Sequence, residues 1–399
     1  MNNASSASQG HGRAAGAVRA YSLMRGGLVY ALIGRSFGDR SRRLHVWLAV
    51  VLVSIALLPI VAATFANDTL SGDTVDVPLL GDFSTLARFL LVVPLLVLAA
   101  PGCDRLMRRT LSHVPRCGLV PHEKRAAFDR LLDRVWSLRD PRWPEALLLV
   151  LAFTPVLFMQ TTFDAMPGIE SWRSVRDGPG RFAAGWLDLV GLPLFRFVVL
   201  LWLWRFAMWT YLLWRLSWLH LRFDAGHPDG SGGILFLGES QFRFAVLALA
   251  GAILVSASCM NHVVHLGETI EQQKHILIGY VLLAVGCLVS PLLLLARRLF
   301  RVKQKALLAY SELGHLSATD FGQRWLQSAP PKSLLDSGDS SAIADYAAVY
   351  ATVRGMSIFP MTRTTLAWFV LLTASPFLPL FIVAMPLEDL VNRLISVIA

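Results

Sequence analysis

Three short stretches hold most of the side chains able to do chemistry. The first runs from Trp186 to Trp218 and holds six of the chain's twelve Trp together with Arg196, Arg205 and Arg215 in an otherwise apolar setting. A guanidinium at membrane depth is expensive and marks a function by default. If the apolar block begins at Leu187, Arg196 lies roughly 13 Å in, at 1.5 Å per residue, near the midplane. If it begins at Leu192, Arg196 and Arg205 snorkel toward opposite interfaces. Nine residues at about 100° each put the two on opposite faces, so one pore does not easily use both. Trp202 and Trp209, at i−3 and i+4 from Arg205, permit cation-π packing. Two readings stay open: interfacial anchors, or a buried contact to an anion or a lipid headgroup.

The second stretch, NHVVHLGETIEQQKH, brings His262, His265, Glu268, Glu271 and His275 to the end of an apolar block. Imidazole and carboxylate side by side suit a divalent metal or a proton relay. Steps of three residues drift by about 60° around a helix, so only adjacent members could share an ion, and Gly267 interrupts the run. The spacing matches no strong metal motif, and a solvated polar loop explains it as well. The third stretch, AGHPDGSGGILFLG, contains His227, Asp229, Gly230, Gly232 and Gly233. Gly and Asp permit tight turns whose amides could cradle a phosphate or a lipid headgroup. His227 and Asp229 are a conceivable acid and base on a headgroup. No nucleophile, metal set or phosphate motif accompanies them, and a compact turn between membrane helices is the plainer reading.

This HPDxxGG loop resembles that of a group of uncharacterised bacterial polytopic inner-membrane proteins. They also share a C-terminal run similar to Ala342, Ile343, Ala344 and Asp345 followed by Val353, Met356, Phe359 and Pro360. The resemblance extends over most of the membrane region. It implies a bacterial inner-membrane location and a cytoplasmic loop, and it transfers no activity and no catalytic residue.

The elements that must position these residues are membrane helices. The 399-residue chain is 55% hydrophobic and only 16% charged, with a mean hydropathy of +0.53. Its apolar residues gather in blocks of about 20, the length needed to cross a bilayer. That excludes a water-soluble enzyme as the whole molecule. Seven spans are expected: Leu44 to Ala66, Leu86 to Cys103, Ala146 to Phe163, Leu187 to Met208, Phe244 to Met260, Ile276 to Ala296 and Leu366 to Met385. The fold class is therefore all-α, a polytopic helical membrane protein with about seven spans and a small cytoplasmic helical region. No signal peptide precedes the first block.

Charge sets the orientation. With the N-terminus inside, 29 of the 37 Lys and Arg fall on the cytoplasmic side. The first opposite loop, Asn67 to Thr85, has none and carries Asp68, Asp73, Asp76 and Asp82. Net charge of +10 thus reports polarity across a membrane, and no nucleic acid partner is expected. The domain layout follows: a basic arm over 1–43, six spans over 44–296 with a cytoplasmic loop at 104–144, a cytoplasmic helical region over 297–363, and the last span and tail over 364–399. If the Pro-rich last block is re-entrant, the span count becomes even.

In the cytoplasmic loop, Phe128, Leu131, Leu132, Val135 and Trp136 recur at helical spacing within His122 to Leu138. After the sixth span, Arg297, Arg298, Arg301, Lys303 and Lys305 continue the helical pattern, so this span projects beyond the bilayer. A second helix follows, with a stripe of Ile343, Tyr346, Ala347, Val349, Tyr350 and Val353. The stripe completes a helical subdomain or docks on another subunit or protein.

Prolines interrupt six blocks: Pro59, Pro94, Pro155, Pro193, Pro291, and Pro376 with Pro379. Each removes a helix hydrogen bond, as kinked helices of carriers and channels do and as ordinary membrane helices also do. The four cysteines make no CxxC pair, and no cofactor, metal set or catalytic group stands out. The leading expectation is a channel or carrier-like protein. The alternative is a scaffold or regulatory subunit that binds a partner, or a second copy, through its cytoplasmic helices. A lipid-headgroup enzyme comes last.

Overall fold

The computed structural model describes residues 41–71, 74–139, 142–154, 168–175, 178–327 and 338–384. The chain is all-helical; among the described residues the extended pairing is one parallel bridge, Val77 with Ser171. Six helices are long and apolar enough to cross a membrane. They carry α1 (Ser41–Ala66), α2 (Phe83–His113), α5 (Gly178–Trp218), α6 (Leu235–Phe242) joined to α7 (Ala245–Leu266), α8 (Ile270–Val289) continued by α9 (Leu293–Gly322), and α11 (Arg363–Ala374) continued by α12 (Leu378–Ala384). Among the described residues the remaining α-helices are α3 (Arg125–Arg139), α4 (Arg142–Ala152) and α10 (Asp339–Gly355). Of the expected third span, α4 covers the beginning, and Pro155 to Phe163 lie outside the described residues, as does the N-terminal arm through Arg40.

Helices outrun the apolar blocks. α2 starts at Phe83, because Asp82 caps it by accepting from the Thr85 amide, and it continues past Cys103 to His113. α5 reaches Trp218, and α7 extends to Leu266, which puts His262 and His265 on its last turn rather than in a loop. Inside a bilayer every amide must be satisfied within the segment, so departures from α-geometry need a cause. The cause is proline. A π-helical turn at Ala87–Val92 precedes Pro94, and a second at Leu187–Gly191 precedes Pro193. Pro291 sits in a 3-10 turn at Ser290–Leu292, and Pro376 in another at Ser375–Phe377. A widened or tightened turn accommodates a ring that cannot donate an amide bond. Pro59 stays within an uninterrupted α1.

The core runs along α2, α5 and α7, where Phe89, Trp202, Trp209 and Phe244 are fully buried. Trp202 donates through Nε1 to the Leu96 carbonyl at 3.1 Å, tying α5 to α2. In α3 the apolar face is buried through Phe128, Leu131, Leu132 and Val135. α8 and α9 make an almost continuous rod from Ile270 to Leu326. α10 folds back along it: Tyr346 donates to the Tyr310 carbonyl, and Arg324 meets Asp339 at 3.4 Å. The stripe on α10 is unevenly covered, since Val353 is buried while Ala347 and Val349 are exposed.

Candidate functional site

One end of the bundle is closed by a polar knot centred on Asp82, which is buried. Its Oδ1 accepts from Ser84 Oγ at 2.8 Å, the Thr85 amide at 3.1 Å and Asn261 Nδ2 at 3.2 Å. Its Oδ2 accepts from Thr85 Oγ1 and Arg173 at 2.7 Å each and from Trp172 Nε1 at 3.1 Å. Arg173 also donates to Thr85 Oγ1. Burial pushes the Asp82 carboxyl up. The Arg173 guanidinium and the bonds from Thr85 and Ser84 outweigh that and hold it well below the ordinary carboxylate range. The parallel bridge at Val77 aligns the 168–175 segment: Trp172 donates its amide to Val77, and Val77 donates to Glu170.

The end of α7 completes this belt. Asn261 Oδ1 accepts from the Phe83 amide at 2.9 Å, and His265 Nε2 donates to the Gly81 carbonyl at 2.9 Å. His262 Nδ1 lies 3.2 Å from Glu268 Oε1, and Gln273 donates to Glu268. Cys259 Sγ points at Gln273 Oε1 at 3.4 Å. Glu271 pairs with Lys274 on the surface of α8. His262 and Glu268 therefore come together, while His265 serves the α2 end. Among the described residues, no three His, Cys, Asp or Glu are grouped to hold a metal ion.

Beneath the belt, one turn along α2 from Thr85, lies a second feature. Arg88 is 2% exposed and Arg196 is 4% exposed. They come from the π-helical turn of α2 and from α5, and the Arg88 guanidinium sits 5.5 Å from the ring centre of Phe195, the neighbour of Arg196. The charge of Arg88 is felt at Arg196, as is the opposite charge of Asp188. Arg196 donates to the Ala152 carbonyl at 3.4 Å. Arg205 stands apart from this pair. Its guanidinium is 5.9 Å from the Trp202 ring centre, with Asp104 and Glu145 near enough to act on it.

The HPD loop forms its own knot. Asp229 Oδ1 accepts from the Ser231 and Gly233 amides at 2.9 and 3.0 Å, and Oδ2 accepts from Leu235 at 3.1 Å. His227 Nδ1 lies 2.9 Å from Oδ1 of the same carboxylate. Burial raises this carboxyl, but the three amides and His227 lower it further, so it stays ionised below the usual range. The amides that could have held a phosphate are thus donated to Asp229. Gly232, at φ +68°, has Met356 Cε and Leu299 Cδ2 at 3.0 and 3.1 Å from where a Cβ would stand. Gly238 is tighter still, because a Cβ there would collide with the Pro360 carbonyl. Ser357 donates to the Gly230 carbonyl at 2.7 Å, and Lys303 donates to the Met356 carbonyl at 2.7 Å. The loop is the seat on which the 356–361 segment rests.

Three partners escaped the sequence reading. Arg88 is the lone charge in the block Leu86 to Cys103, a signal that was available. Asn261 and Arg173 carried none, because only the fold brings them to Asp82. Compared with family models, with curated proteins and with solved structures, the chain matches none.

Proposed function

We propose that the chain is a channel- or carrier-like membrane protein that accepts a small anion between α2 and α5. The observation that carries this reading is the meeting of Arg88 and Arg196, both buried within apolar spans. Charges at membrane depth are retained where they act on ions or substrates, and two guanidinium groups in one region make that part of the bundle attractive to an anion. Arg88 lies within one π-helical turn and Arg196 follows another in α5, and such turns are frequent at functional sites. The basic loops and the HPDxxGG resemblance support a bacterial inner-membrane setting with the N-terminus in the cytoplasm.

The test is anion flux from sealed proteoliposomes under an imposed voltage. We expect flux in the wild type and its loss in Arg88→Gln and Arg196→Gln. A folded, reconstituted protein that passes no halide or nitrate under voltage or pH gradients overturns the reading.

A second reading has its own observation. The α9 rod presents Leu308 at 73% and Leu326 at 83% exposed, with Leu313 and Leu316 also exposed. This favours a scaffold or regulatory subunit that docks a protein, or a second copy, on α9 and α10. Deleting Asp339 to Met356 then abolishes a copurifying interaction while membrane insertion persists. Headgroup chemistry by His227 and Asp229 is less favoured, because Asp229 is committed to its own loop.

A further inference from the structure

We propose that Arg297, Arg301 and Lys305 on α9 form a binding surface for anionic phospholipids, whose headgroup phosphates they meet where the α8–α9 rod leaves the bilayer. The three follow one another at steps of four residues, so they stack as one stripe with about 6 Å between neighbours. The stripe has an apolar beginning. Leu293 precedes Arg297 by the same step, and all four residues are exposed. Between Lys274 and Arg297 the rod carries no Asp, Glu, Lys or Arg, and Ile278, Leu282, Leu283, Leu293 and Leu294 are exposed along it. The rise from Lys274 to Arg297 is about 35 Å at 1.5 Å per residue, against about 30 Å for the hydrocarbon core of a bilayer. Lys274 and Arg297 thus stand at opposite interfaces, and the stripe begins at headgroup depth.

The other side of α9 is occupied by the protein itself. Leu299 is two residues from both Arg297 and Arg301, hence about 160° around the helix, and it packs beneath Gly232 of the HPD loop. Lys303, on that inner side, donates to the Met356 carbonyl at 2.7 Å. The fold therefore commits Lys303 to its own backbone and leaves the stripe to its surroundings. Among the described residues no carboxylate pairs with Arg297, Arg298, Arg301 or Lys305, and the next acidic residue along α9 is Glu312. Arg301 also acts on Arg298 with like charge. Uncompensated positive charge attracts an anion, and position selects which one. One turn away the same stripe is apolar and faces lipid, so the anions held beside it are headgroup phosphates. Guanidinium forks take two phosphate oxygens at once, and the Lys305 ammonium adds a point charge. A zwitterionic headgroup carries its own cation, which the stripe repels, so the surface selects lipids of net negative charge. Phe300, exposed beside Arg301, puts an aromatic ring at the same boundary.

The experiment places the full chain in nanodiscs holding phosphatidylcholine and phosphatidylglycerol in equal amounts. Native mass spectrometry then identifies the lipids that stay on the protein when the disc is released. Phosphatidylglycerol should be enriched several-fold over phosphatidylcholine on the wild type at low salt. Arg297→Gln, Arg301→Gln and Lys305→Gln together should cut that enrichment several-fold. Lys274→Gln, at the other interface and already paired with Glu271, should leave it unchanged. Arg297→Lys with Arg301→Lys should retain most of it, because the charge persists. Equal retention of the two lipids on the wild type overturns the proposal, as does enrichment that survives in the folded triple variant or falls equally in Lys274→Gln. A single-stranded oligonucleotide or a polyglutamate peptide that binds through the same three residues and displaces phosphatidylglycerol also overturns it. If the triple variant does not fold, Arg301→Gln alone decides: a partial loss of enrichment supports the proposal, and no loss overturns it.

Discussion

Asp82 and Asp229 are both ionised carboxylates that bind several amides or hydroxyls, yet they are assembled over different distances along the chain. Asp229 gathers its donors from His227 to Leu235, within one loop. Asp82 gathers them from α2, from the 168–175 segment and from the end of α7. The local knot shapes a turn and gives the 356–361 segment a surface to rest on. The distant knot joins elements that nothing in the covalent chain holds together. A carboxylate buried at the rim of a bundle therefore acts as a clasp, and one in a loop acts as a template.

The comparison breaks first if the clasp is dispensable. Asp82→Asn leaves Arg173 beside a neutral amide, and breaking a buried pair in this way costs about 3–5 kcal/mol. Thermal unfolding in detergent should show this as the largest fall in Tm of any substitution named here. pH sharpens the same point. The folded value of Asp82 lies below the unfolded one, so its stabilisation is fully present above the ordinary carboxylate value of 3.8. It is lost only as pH falls below that value toward the folded one. The wild type should lose stability on acidification in that window, and Asp82→Asn should lose less.

Next comes the seat of the template. Gly238→Ala forces a methyl into the Pro360 carbonyl, and overpacking of this kind costs about 1–3 kcal/mol. Hydrogen exchange should quicken at the Ser357 amide, which bonds Gly230. Asp229→Ala removes a cap-like acceptor at a part-exposed site and should cost about 0.5–2 kcal/mol, with proteolysis near residues 356–361 as the readout. If Asp229→Ala destabilises the whole protein more than Asp82→Asn, the distinction between clasp and template fails. The smallest effect belongs to the part-exposed His262 with Glu268. Glu268→Gln should change stability by at most about 1 kcal/mol.

These two knots also show what a sequence discloses. Gly230, Gly232 and Gly233 around Asp229 signal a turn because the donors and the acceptor are neighbours in the text. That the amides turn inward to Asp229 instead of outward to a ligand is a matter of φ and ψ, which composition does not encode. Six of the seven expected apolar blocks coincide with helices long and apolar enough to span, and several of their ends lie a turn or more further out. Caps such as Asp82 and amphipathic extensions such as Asp104 to His113 continue a helix after hydrophobicity stops. Arg196 stands out in its block by type. Its neighbour Arg88 is equally visible alone, and the pairing of the two is not, because it depends on how α2 and α5 are rotated against each other. Asn261 looks like an ordinary polar residue at a helix end, and only the arrival of α2 makes it part of a clasp.

The rod formed by α8 and α9 has a mechanical consequence. Its 57 residues extend for about 85 Å at 1.5 Å per residue, with a tightened turn at Pro291 and a widened one at Gln323–Gln327 near the far end. A lever of that length turns a tilt of about 5° within the membrane into a sweep of roughly 7 Å at its far end. The α10 hairpin rides on that end, so small rearrangements among the spans become large displacements outside them.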